Sequence, residues 1–133
     1  MSKCDRSAFH FPVVAACFVS VTLATPLAAL AADVEPSYKA SPEVYKLISE
    51  NDQFRVILAT WKPGHRDNWH SHAGPLASYA LTDCESQRAH TPDGKFEDRS
   101  RKAGTVRYNP VIASHSLENR GKTECKVVIV ERK

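Results

Sequence analysis

Apolar and polar positions divide the chain into an apolar opening run, residues 11–30, and a long region of short alternating segments that begins near Val44. Residues 43–48 read as a strand that ends in a polar turn over 49–52, after which 54–61 form a β-branched and aromatic run closed by Pro63-Gly64. A short helix over 43–50 is the alternative for the first of these segments. Ala73-Gly74-Pro75 breaks the chain again, and residues 76–82 resume it with small and apolar side chains. Pro92-Asp93-Gly94 combines a preset φ, a self-bonding Asp and a permissive Gly, which predicts a hairpin with arms over 84–91 and 95–102. In the second arm Glu97, Arg99 and Arg101 alternate with other polar residues, as expected of an exposed edge strand that must avoid pairing with other molecules. Further strands are expected around 106–108, 115–119 and 126–130. Short strands at regular spacing indicate an all-β sandwich or small barrel.

The opening run lies outside that pattern. Lys3 and Arg6 precede it and Ala29-Leu30-Ala31 supplies a small-x-small cleavage site before Ala32, so residues 1–31 read as a secretory signal peptide. An uncleaved anchor, a lipoprotein signal ending at Cys17 and a buried helix are the alternatives. Pro12, Pro26 and the Ser/Thr content weigh against the first, and Cys17 has too little apolar sequence before it for the second. Residues 32–43, with Pro36 and Pro42 among polar neighbours, read as an extended N-terminal arm, and 44–133 as a single β domain. A periplasmic or secreted location follows.

Cleavage changes the inventory. Lys plus Arg falls from 18 to 16 with the loss of Lys3 and Arg6, and Asp plus Glu from 15 to 14 with the loss of Asp5, leaving +2. So mild and scattered a charge argues against nucleic-acid binding, and no further membrane segment follows. Of four cysteines only Cys84 and Cys125 remain, and two cysteines in an oxidising compartment invite a bridge. Two separate half-buried thiols are the alternative.

The chemistry concentrates in histidine. His70 and His72 are two apart, so on a strand both imidazoles share one face, and His115 can supply a third nitrogen from a second strand. The spacing around them forms two motifs. Gly64, His70 and His72 follow a pattern of glycine, five residues, histidine, one residue, histidine. Gly104, Pro110, His115 and Asn119 follow a second pattern of glycine, proline, histidine and asparagine. Over most of residues 54–130 the chain resembles the cupin superfamily, whose two motifs these are, in the small single-domain, type-2 form. The resemblance implies a double-stranded β-helix, or jelly-roll barrel. Three motif positions depart: Leu76 stands where the family has its metal-binding glutamate, Asp83 at the last glycine of the first motif and Ile112 at the inner glycine of the second.

Read this way, His70, His72 and His115 are the metal ligands and the carboxylate ligand is missing. Imidazole suits Fe, Zn, Cu or Ni, whereas Mn favours a carboxylate and is less expected. Three neutral imidazoles leave the ion its full +2 charge, which favours an anionic ligand in the open positions. If alternation persists beyond the histidines, Leu76, Ser78 and Ala80 face the pocket and Tyr108 lines its far side. His65 has the wrong parity and His90 adjoins the hairpin turn, so both are expected in solvent. Trp61, Trp69 and Tyr79 read as packing residues, either within the sandwich or at a homodimer contact, since cupins of this size commonly pair.

Some cupin dioxygenases use a three-histidine iron, so the resemblance allows a metal-dependent oxygenase acting on a small anionic organic substrate. A zinc hydrolase or lyase would instead acidify bound water. The competing reading is a noncatalytic module that holds a metal or small ligand. The chain has no phosphate-cradling glycine loop, serine elbow, paired-carboxylate spacing or Cys-x-x-Cys.

Overall fold

The computed structural model describes residues 34–133. The expected signal segment 1–31 lies outside the described residues. Among the described residues nine strands form two antiparallel sheets: β1 (Tyr45–Glu50), β2 (Phe54–Trp61), β9 (Cys125–Arg132), β4 (Leu76–Ala80) and β7 (Val106–Asn109) in one, and β3 (His70–His72), β8 (Ile112–Asn119), β5 (Cys84–His90) and β6 (Phe96–Arg101) in the other, each in that order. The hairpin around Pro92-Asp93-Gly94 joins β5 to β6, and β6 is the edge of its sheet. No helix among the described residues is long and apolar enough to cross a membrane.

Residues 34–43 hold one turn of helix, α1 (Ser37–Ala40). Pro36 sits at the N-cap, where its missing N–H costs nothing, and its carbonyl accepts from the Lys39 and Ala40 amides. The segment is also tied down: Pro36 bridges Ser71, and the Ser71 amide and hydroxyl donate to the Glu35 and Val34 carbonyls at 2.9 and 2.6 Å.

Alternation along β9 points Cys125, Val127 and Ile129 inward, against Tyr45, Ile57, Ala59 and Trp61 of β1 and β2. Burial of these side chains is the main apolar stabilisation of the sandwich. Cys84 of β5 and Cys125 of β9 form a disulfide with Cα atoms 4.9 Å apart, linking the two sheets. It closes a span of 41 residues, for which loop-closure entropy gives on the order of 4 kcal/mol.

The two motifs knit together at their ends. Gly64 and Gly104 have φ of 75° and 83°, a left-handed conformation that favours glycine, so each motif opens on a turn. The Gly64 amide donates to the Asn119 carbonyl at 2.8 Å, and the Asn119 amide donates to the His65 carbonyl at 2.9 Å. The Asn119 side-chain amide reaches the carbonyls of Trp61 and Thr123 at 3.0 and 2.9 Å. Asn119 therefore latches the end of β8 onto the end of β2.

Candidate metal centre

His70 and His115 are direct register partners across β3 and β8, and a register shift places Ile112 opposite His72. The three histidines converge between the sheets, with ring centroids 4.4 to 5.3 Å apart and one nitrogen from each within 4.8 Å of the others. All three are buried.

Their hydrogen bonds test whether this cluster suits a metal. The Nδ1–H of His70 donates to the Asn68 carbonyl at 2.8 Å, and the Nδ1–H of His72 donates to Glu131 Oε2 at 2.8 Å. Because a carbonyl and a carboxylate can only accept, both bonds fix the tautomer that leaves Nε2 with a free lone pair. Nε2 of His115 is buried and has no hydrogen-bond partner among the described residues, an arrangement that costs roughly 1–3 kcal/mol unless something engages it. Burial, foremost, lowers the pKa of His70, and it lowers that of His115 to about 2, with the neighbouring His70 and His72 adding to the latter. Both rings are neutral at neutral pH, the state a metal requires. The residues present fit a divalent ion held by three imidazoles, with the outer nitrogens of His70 and His72 anchored as metal-bound histidines usually are.

Two carboxylates outside the residues predicted from the sequence support the cluster. Asp67 is buried and accepts from Tyr45 Oη at 2.7 Å, Trp61 Nε1 at 2.9 Å and the Leu117 amide at 2.7 Å. Tyr45 Oη also lies 3.2 Å from His70 Nε2. The hydroxyl donates over the shorter distance, to Asp67, and burial, ahead of the charge on Asp67, raises the Tyr45 pKa well above its ordinary value. Glu131, the partner of His72, continues the inward parity of Cys125, Val127 and Ile129. Extending the β9 alternation by one more inward position would have found it. Arg55 Nη1 lies 3.6 Å from its other oxygen, beyond a good hydrogen bond.

A cavity of about 50 Å³ is lined by His72 and His115, room for several waters or a small organic ligand. Leu76 and Ser78 line it. Ala80 is buried on the same face but at the end of β4, and it does not line the cavity. Tyr108 departs from expectation. It is 80% exposed, because alternation along β7 turns Arg107 and Asn109 inward in its place. Arg99 and Arg101 depart as well: although β6 is an edge strand, both side chains line the cavity. Their spacing of two was the available signal. His65 and His90 lie apart from the metal centre and are half-buried, not fully in solvent, with His90 Nε2 3.2 Å from Glu118. Trp61 is core, whereas Tyr79 is half-exposed and Trp69 lies half-exposed under the Arg66 guanidinium at 5.5 Å.

Comparison with solved structures decides the fold. A cupin domain from Bordetella pertussis Tohama I superposes with a TM-score of 0.62 at 22% identity, covering 68% of this chain and 92% of that one. This chain has the cupin fold. An RmlC-like cupin family protein with a double-stranded β-helix fold from Methanocaldococcus jannaschii matches at a TM-score of 0.55 and 12% identity, over 67% of this chain and 78% of that one. No protein-family model and no curated protein matches the chain. At these identities the likeness carries the cupin architecture alone. The chemistry rests on the chain's own residues.

Proposed function

We propose that this protein is an exported metal-binding cupin that works as a three-histidine non-haem metal oxygenase on a small anionic organic substrate. The observation that carries the reading is the unpartnered, buried Nε2 of His115, beside two histidines whose Nδ1–H bonds leave their own Nε2 atoms free. His70, His72 and His115 would hold Fe, Zn, Cu or Ni, with Mn less suited. Such an ion, when bound, supplies open coordination positions and undiminished positive charge for an anionic substrate and oxygen. The protein supplies the rest. Glu131 and the Asn68 carbonyl hold two rings in place, and Leu76 and Ile129 keep the cavity wall apolar. The Cys84–Cys125 disulfide supports a periplasmic or secreted location. The outward-facing Tyr79, Val106, Tyr108 and Val130, all exposed, support a homodimer through the β9, β4 and β7 face.

Elemental analysis of the protein recovered from the exported fraction is the first test, with one transition-metal ion per chain expected and less than a tenth of that in His115→Ala. Oxygen uptake by the Fe(II)-loaded protein across a panel of small organic acids is the second. Retention of metal in His115→Ala would overturn the metal site. Metal and tight acid binding without turnover would make the protein a noncatalytic ligand-binding module instead.

A further inference from the structure

Two more buried donors in the cavity wall lack partners among the described residues: Nε of Arg99 and the side-chain amide nitrogen of Gln87. These residues are register partners across β5 and β6, and both line the cavity. Arg101 lies two positions beyond Arg99, and Arg107 enters from β7 in the opposite sheet. The three guanidinium groups are close enough that Arg107 and Arg99 add to burial in lowering the Arg101 pKa. Among the described residues, Arg99 reaches a carboxylate only through Nη2 to Glu97, at 2.7 Å, and Arg101 bonds the Ser78 hydroxyl and the Ser78 and Thr105 carbonyls, not an acid. Arg107 has no salt bridge within that set.

The polar side chains are graded across one sheet. In the order β3, β8, β5, β6 they run His70 and His72, then His115, then Gln87, then Arg99 and Arg101. One end suits a metal. The other concentrates positive charge and unpaired donors in a partly desolvated site, where guanidinium and amide groups recognise a carboxylate. We propose that the cavity takes a small organic acid with two acidic groups, one directed to the histidines and the second, a carboxylate, held by Arg99 Nε–H and the Gln87 amide, with Arg101 and Arg107 supplying further positive charge. The first contact rests on the metal reading above. The second belongs to the protein alone.

Titration calorimetry with malonate, acetate and phosphate, on zinc-loaded and chelator-treated protein, tests this. Zinc-loaded protein should bind malonate at least tenfold more tightly than acetate and more tightly than phosphate. Arg99→Met and Gln87→Leu should each lose most of that preference while zinc content and circular dichroism stay as in the wild type. The inference is overturned if both variants, fully zinc-loaded, keep the wild-type preference, if malonate binds no better than acetate, or if phosphate outcompetes malonate. Zinc-free wild type should still bind malonate, more weakly and in an Arg99-dependent way. If the wild type holds no metal yet shows this Arg99-dependent binding, the carboxylate site stands and the metal reading alone is lost.

Discussion

Leu76 on β4 and Glu131 on β9 are direct register partners, and both are buried. Opposite residues of an antiparallel pair share a face, with Cβ atoms about 4.5–5.5 Å apart. The carboxylate missing from position 76 is thus present one strand away, bonded to the outer nitrogen of His72.

Leu76→Glu should consequently create a conflict in the metal-free protein, because a second buried carboxylate would face Glu131 directly. Its melting temperature should fall by several degrees, as a loss of about 1 kcal/mol would produce in a domain of this size. Manganese should raise it by more than it raises the wild type, since the new oxygen ligand suits that ion. Adding Glu131→Gln should remove the metal-free penalty. Identical melting curves with and without manganese in both backgrounds would mean that position 76 does not face the metal.

Glu131 itself should tune the centre without touching the ion. Glu131→Ala removes the acceptor that orients His72 and should weaken metal binding roughly 10- to 100-fold in chelator competition. Glu131→Gln keeps an acceptor without the charge and should fall between wild type and Ala. Equal affinities in all three proteins would count against the role.

Asp67→Ala should strand three buried donors: the Tyr45 hydroxyl, the Trp61 indole N–H and the Leu117 amide. At roughly 1–3 kcal/mol for each unsatisfied group, urea denaturation should register a loss of about 3 kcal/mol or more. A change under 1 kcal/mol would show that the cluster repacks around water.

The depressed pKa values of His70 and His115 fix the sign of an acid effect. Below pH about 6.5 the unfolded chain binds protons that the folded state refuses. The stability these residues contribute is therefore fully present above that pH and is lost as the pH falls toward about 2, the folded value for His115. Metal-free protein should lose stability on acidification with a slope approaching 1.4 kcal/mol per pH unit for each such histidine, roughly. His115→Ala should flatten the slope, and an unchanged slope would contradict the assignment.

Much of this was legible in the residues. Apolar and β-branched runs located β2, β4 and the β9 core, the Pro92-Asp93-Gly94 turn located β5 and β6, and glycines marked where the motifs turn. The spacing of His70, His72 and His115 was enough to predict their convergence, which the structure displays. The far side of the cavity was not legible. Whether Arg107 or Tyr108 turns inward depends on the register of β7 against β4, and nothing local fixes that register. Arg99 and Arg101 looked like edge-strand charges because the sequence does not say which face of an edge strand looks into a cavity. Asp67 lies in a loop before β3, where periodicity is silent, and only its partners reveal that it is buried.

The disulfide between Cys84 and Cys125 has a consequence for selectivity. It fastens β5, which carries Gln87, to β9, which carries Ile129 and Glu131, so the two walls of the cavity are covalently spaced. A ligand too long for that gap cannot be accommodated by letting the sheets drift apart. The gap is set once, when the two cysteines oxidise, and a small ligand would then meet a slot of preset width, with little ordering cost left to oppose its binding.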